Sequence, residues 1–221
     1  MTPTHEHRVT IRKGPLALEG ILGLPPGSNG VVVFAHGSGS GRFSPRNNFV
    51  ARHLQEHRLA TLLIDLLTED EADDRRKVFD IDLLADRLLL AKVWLEAEPR
   101  TTDLGVGYFG ASTGAGAALQ AAAREPENVR AVVSRGGRPD LAEPYLNRVT
   151  APTLLIVGGD DYPVIEMNQA AYERLTCEKK LIIVPGATHL FEEPGTLEQV
   201  AEQAGSWFRR YFNPAVKSIG G

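Results

Sequence analysis

The sequence predicts an α/β fold: a mostly parallel, eight-stranded sheet with helices on both faces. Three observations carry this expectation. Short β-branched runs bounded by Gly and Pro alternate along the chain with longer segments whose apolar residues recur every three or four positions. Only Gly14-Pro15 separates the first two runs, which leaves no room for a crossover helix, so those two strands should pair as an antiparallel hairpin at one edge. The 221 residues, 43% hydrophobic and 24% charged, are ordinary for a globular protein and suit one large domain spanning 1–221.

Taken in order, the strands are expected at 8–13, 16–22, 30–35, 60–64, 104–109, 130–134, 153–157 and 180–184. Helical periodicity appears at Phe49, Val50 and Leu54, then at Ile81, Leu84, Leu88 and Trp94, and in the Ala-rich run 117–121. It returns over 165–175 and again at Val200, Trp207 and Phe208. Each such segment lies between two strands or follows the last one, as a parallel sheet requires. Residues 68–77 hold five carboxylates followed by three basic residues, a charge run that reads as a solvated loop. His5 and His7 fall in a terminus ahead of the first strand, and 213–221 reads as a loose tail.

Composition narrows the function. Lys plus Arg is 24 and Asp plus Glu is 28, a net charge of −4, which argues against nucleic acid as a partner. The single cysteine, Cys177, cannot form an internal bridge. No apolar stretch follows the first eight residues as a secretory signal would need, and the apolar runs are strand-sized, so a cytoplasmic protein without a membrane span is expected.

The strongest chemical signal is Gly110-Ala111-Ser112-Thr113-Gly114, placed after a strand and at the head of an Ala-rich helix. A G-x-S-x-G elbow needs that setting, because its serine sits in a strained turn that lifts Oγ clear of the sheet. A serine hydroxyl needs a base and an orienting carboxylate to act at neutral pH. His189 follows the last strand, at the carboxyl edge where open α/β sheets place their sites, and is the expected base. The acid should follow the strand ending in Gly158-Gly159-Asp160-Asp161, where periodicity leaves both carboxylates open. Backbone donors for an oxyanion are expected from Thr113 N–H and, in the loop after the third strand, from Ser38 N–H. His36, at the start of that loop, reads as a loop-fixing residue.

The motifs His36-Gly37-Ser38-Gly39, Gly110-Ala111-Ser112-Thr113-Gly114, Gly158-x-x-Asp161 and Gly186-Ala187-Thr188-His189 together resemble the small α/β-hydrolases of the dienelactone hydrolase-like group, over nearly the whole chain. The resemblance implies an α/β-hydrolase fold without a cap domain, and an acid at the last position of the G-x-x-D turn, Asp161. It implies a hydrolase that needs no metal or organic cofactor. Dienelactone hydrolase proper uses a cysteine nucleophile where this chain has Ser112, so the expectation is esterase chemistry on a small-molecule ester. A lactone or thioester hydrolase of the same fold and a non-catalytic binding module are the alternatives.

Arg42 and Arg46, after the oxyanion loop, and Arg135, past the sixth strand, are candidates for holding an anionic substrate. Only seventeen residues, 135–151, separate the sixth strand from the seventh, too few for a lid, so short soluble esters are expected to be preferred. Two further patterns point elsewhere. Gly105-Val106-Gly107-Tyr108-Phe109-Gly110 fits G-x-G-x-x-G, but its first half falls within a strand and not in the turn that a dinucleotide would need. His53-Leu54-Gln55-Glu56-His57 fits H-x-x-E-H, a metal-binding spacing for which no partner acid can be found in the sequence.

Overall fold

The structure, a computed structural model, describes residues 5–212, so the expected tail at 213–221 lies outside the described residues. The strands are β1 (His5–Lys13), β2 (Leu16–Leu24), β3 (Gly30–Ala35), β4 (Ala60–Ile64), β5 (Gly105–Ala111), β6 (Val129–Arg135), β7 (Thr153–Gly158) and β8 (Lys179–Val184). The helices are α1 (Pro45–Glu56), α2 (Glu69–Ala72), α3 (Arg75–Val78), α4 (Ile81–Ala97), α5 (Thr113–Arg124), α6 (Tyr162–Arg174) and α7 (Thr196–Phe212), with a 3₁₀ segment at Pro139–Arg148. All eight expected strands form one sheet, in the order β1-β2-β4-β3-β5-β6-β7-β8. The β1–β2 hairpin is antiparallel and β2 also runs antiparallel to β4, while every pairing from β4 to β8 is parallel.

β3, β4 and β7 are buried at every position, as strands covered on both faces should be. Alternate residues feed two cores. Val31, Val33 and Ala35 pack with α4 and α5 through Leu88, Leu95, Ala118 and Ala121. Val32 and Phe34 pack on the other face with α1 and α7 through Val50, Leu54, Ala204 and Phe208. Gly107 is part of this packing: a Cβ there would stand 2.8 Å from the Phe208 ring, which accounts for one glycine of the G-x-G-x-x-G pattern by helix–sheet contact.

Two expectations are corrected. The first strand begins at His5, not at 8, so His7 belongs to the hairpin, where it pairs with Leu22. The charge run 68–77 is not a loop but the two short helices α2 and α3, because its carboxylates cap helix ends. Thr68 and Glu71 form a reciprocal capping box, and Asp74 accepts from Arg76 N–H at 3.0 Å. Glu71 is also paired with Arg87 at 2.9 Å, so part of the run is satisfied internally.

No cap domain rises from the sheet among the described residues. The 3₁₀ segment breaks at Ala142, and its Ala142 and Leu146 sink into the α4–α5 core instead of covering the carboxyl edge of the sheet. No described helix is long and apolar enough to cross a membrane.

Candidate active site

The carboxyl ends of β3, β5, β6, β7 and β8 meet at one edge, and the loops leaving them bring the chemical residues together. Ser112 sits between β5 and α5 with φ 51° and ψ −122°, a conformation that a non-glycine residue holds only when its surroundings over-determine it. Here the Ser112 N–H donates to Arg135 O at 3.3 Å, and Ser112 O accepts from Ala115 N at 3.1 Å and Arg138 N at 3.0 Å. Gly114 allows α5 to start against β3, since a Cβ there would stand 2.5 Å from His36 O.

His189 lies in the loop after β8, with Nδ1 2.7 Å from Asp161 Oδ2. Asp161 is at the N-cap of α6 yet makes no capping bond, which leaves its carboxylate for the histidine. Asp160 is exposed, and its N–H is spent on Ala187 O at 3.0 Å, so the pair that periodicity left open is divided by geometry. Thr188 clamps the loop through Glu193: its N–H donates to Oε2 at 3.1 Å and its Oγ1 to Oε1 at 2.6 Å. These bonds hold the Glu193 carboxyl below its usual range, the Thr188 hydroxyl contributing most.

The loop after β3 is positioned by His36. Its Nε2 accepts from Leu66 N–H at 3.0 Å and its Nδ1 donates to Gly37 O at 2.9 Å, so the ring is neutral and used on both sides. Burial pushes its pKa below the ordinary value, more than the Gly37 bond and the Asp65 charge raise it. The loop passes close to the elbow, where a Cβ on Gly37 would meet Ser112 Cβ at 3.1 Å. Neither Ser38 N–H nor Thr113 N–H donates a hydrogen bond to a described residue.

Ser112, His189, Ser38, Arg46, Asn47 and Arg135 line one cavity of about 200 Å³. Arg135, only 7% exposed, ends β6 beside Ala111, and its guanidinium lies 5.8 Å over the Phe191 ring. It pairs with no described carboxylate, and its Nε is buried without a partner, as are Arg46 Nε and Asn47 Oδ1. Burial, with a smaller contribution from Arg46, pushes the Arg135 pKa down to about 10. Arg46 reaches across to Glu192 at 3.2 Å, tying α1 to the His189 loop. Arg42 lies elsewhere: it is ion-paired to Asp65 and lines a wider cleft of about 1030 Å³, on the α2–α3 side of the loop after β3, which touches neither Ser112 nor His189. Asn47 and the Thr188–Glu193 clamp carried no sequence signal, because nothing in their local pattern differs from ordinary helix and loop residues.

Fold and edge geometry define an α/β-hydrolase. The chain belongs to the dienelactone hydrolase family, whose model matches residues 18–213. The crystal structure of a dienelactone hydrolase from Anabaena variabilis is 58% identical, with a TM-score of 0.91 over 94% of this chain and 98% of that one. A lidless α/β serine hydrolase from Xanthomonas campestris shares the fold at 20% identity, with a TM-score of 0.76 over 96% of this chain and 97% of that one. A Mycobacterium tuberculosis protein provisionally named a phosphoribosyl transferase is 58% identical over 206 residues, covering 93% of this chain. The chain spans 46% of that relative's length, about half.

Proposed function

We propose that this chain is a serine hydrolase of small carboxylic esters or lactones that carry an anionic group. The observation that supports it most is the His189–Asp161 bond of 2.7 Å, formed by a histidine that shares a small cavity with a strained, elbow-held serine. In this reading Ser112 Oγ attacks the acyl carbonyl while His189 Nε2 takes its proton, and Asp161 holds the Nδ1–H tautomer and stabilises the imidazolium. The Ser38 and Thr113 N–H groups receive the oxyanion. His189 then protonates the leaving alkoxide, leaving an acyl-Ser112 ester. Water attacks that ester with His189 again as base, and its collapse releases the acid and restores the serine.

The anionic requirement rests on Arg135. A cation buried without a described carboxylate, in the same cavity as Ser112, suits a substrate anion, whereas Arg46 beside it is already paired with Glu192. The transferase name of the mycobacterial relative belongs to a protein about twice this length, and the Ser112 site supports acyl transfer to water.

A fluorophosphonate probe tests the core of the reading. Wild type should be labelled at Ser112, with labelling abolished in Ser112→Ala and reduced by orders of magnitude in His189→Ala. A panel of neutral and carboxylate-bearing esters, thioesters and lactones then ranks the substrates. Absence of both labelling and turnover would return the chain to the binding-module reading.

A further inference from the structure

The H-x-x-E-H pattern of α1 takes no part in the proposed reaction, yet the fold completes it. His53 lies in the last turn of α1, His57 caps that helix, and α7 delivers Glu202 to the same point. One ligand atom from each of the three lies within 4.8 Å of the other two, the one such group among the described residues. Glu56, the acid inside the pattern, is not part of it.

The arrangement of protons is that of metal ligands. His57 Nδ1 lies 2.8 Å from the His53 carbonyl. A carbonyl can only accept, so Nδ1 carries the proton and Nε2 keeps its lone pair. Metal-bound imidazoles commonly donate their second N–H to a backbone carbonyl in this way, which fixes tautomer and ring orientation. His53 Nε2 is buried without a hydrogen-bond partner, 3.4 Å from Glu202 Oε2. Glu202 Oε1 is held by Ser206 Oγ at 3.1 Å and faces Arg209 at 3.8 Å, so its other oxygen is the one presented to the histidine. The two ring centroids lie 4.6 Å apart with the planes tilted by 44°, so one ion beside both can draw on both lone pairs. The site also sits at the negative end of the α1 dipole.

We propose that His53, His57 and Glu202 bind a divalent transition-metal ion of the Zn²⁺ class, clipping the end of α1 to α7. Two imidazoles and one carboxylate suit Zn²⁺, Co²⁺ or Ni²⁺ and disfavour Mg²⁺ and Ca²⁺, which take oxygen ligands. Tetrahedral zinc with bonds of about 2.0–2.1 Å sets its ligands about 3.4 Å apart, the separation that His53 Nε2 and Glu202 Oε2 already have, with the His57 ligand atom within 4.8 Å of both. Water completes the fourth position. The role is structural, since none of the three residues lines the Ser112 cavity, but α1 carries Arg46 and Asn47 at its other end and is steadied by the clip.

The test uses the tag-free full chain after treatment with a chelator. Titration with Zn²⁺ should show 1:1 binding by calorimetry and a Tm rise of roughly 5–10 °C at a hundredfold excess over Kd. Co²⁺ should give the visible absorption of a tetrahedral site, and Mg²⁺ should do nothing. His53→Ala should weaken binding at least tenfold. The surface change Glu202→Gln, which leaves the helices intact, should weaken it as well. The proposal is overturned if wild type binds no Zn²⁺, if Mg²⁺ stabilises as much, or if affinity is unchanged in either variant while far-ultraviolet circular dichroism shows a native fold.

Discussion

Replacing Arg135 by Met separates what this side chain contributes to the fold from what it contributes to the reaction. The guanidinium is 7% exposed and has no carboxylate partner among the described residues, and burial pushes its pKa down to about 10. Each pKa unit corresponds to about 1.4 kcal/mol, so keeping the charge inside costs about 3 kcal/mol. The sign follows from linkage. Below about pH 10 the group is protonated in both states, so the full penalty applies at neutral pH and fades only as pH rises above about 10. Met matches the unbranched stem without the charge, and loses about 2 kcal/mol of contact between the buried guanidinium and the Phe191 ring. The net expectation is a gain of about 1 kcal/mol, or a Tm higher by roughly 2–4 °C for a chain of this size. Activity should move the other way. A charge-assisted hydrogen bond contributes about 1.5–3 kcal/mol, so kcat/KM for a p-nitrophenyl ester with a carboxylate on its acyl chain should fall roughly 10- to 100-fold. Hydrolysis of p-nitrophenyl butyrate should change by less than about threefold, because it has no anion to lose. A lower Tm together with unchanged preference between the two esters would refute the reasoning and make Arg135 a purely structural residue.

Three further predictions concern the supporting geometry. Asp161→Asn should lower kcat by about four orders of magnitude through the wrong His189 tautomer, while Asp160→Asn stays within a few-fold of wild type; the reverse ranking in steady-state assays would transfer the role. Gly114→Ala should destabilise by about 3 kcal/mol in urea titrations, because its methyl would meet the Ala35 and His36 carbonyls, which cannot withdraw without moving β3. Stability should decline as pH falls below about 6.5, since the buried His36 binds its second proton less readily folded than unfolded. His36→Gln should flatten that acid limb, and an unchanged limb would place the titrating group elsewhere.

What the sequence determined by itself is local. Eight β-branched runs between Gly and Pro became eight strands, because a strand buried on both faces leaves an uninterrupted apolar signature. The Ser112 elbow was readable for a similar reason: its glycines, its serine and the flanking strand and helix are contiguous, and Ser112 does occupy the strained conformation that the motif requires. The charge run 68–77 was misread because helix capping by carboxylates has no apolar period, so α2 and α3 show only composition.

Tertiary structure decided everything that depends on which distant residue arrives. Periodicity gives neighbouring carboxylates the same standing, and only the path of the β8 loop brings His189 to Asp161 while Asp160 stays in solvent. Three arginines looked alike in sequence, yet Asp65 engages Arg42, Glu192 draws Arg46 across the cavity, and Arg135 is enclosed alone because β6 ends between the elbow and Phe191. His53 and His57 lacked an acid until α7 packed beside α1 and brought Glu202 from nearly 150 residues away. Local pattern encodes which face a residue buries; the partner it meets there is set by how the sheet stacks its helices, and that ordering leaves no mark in the spacing of the chain.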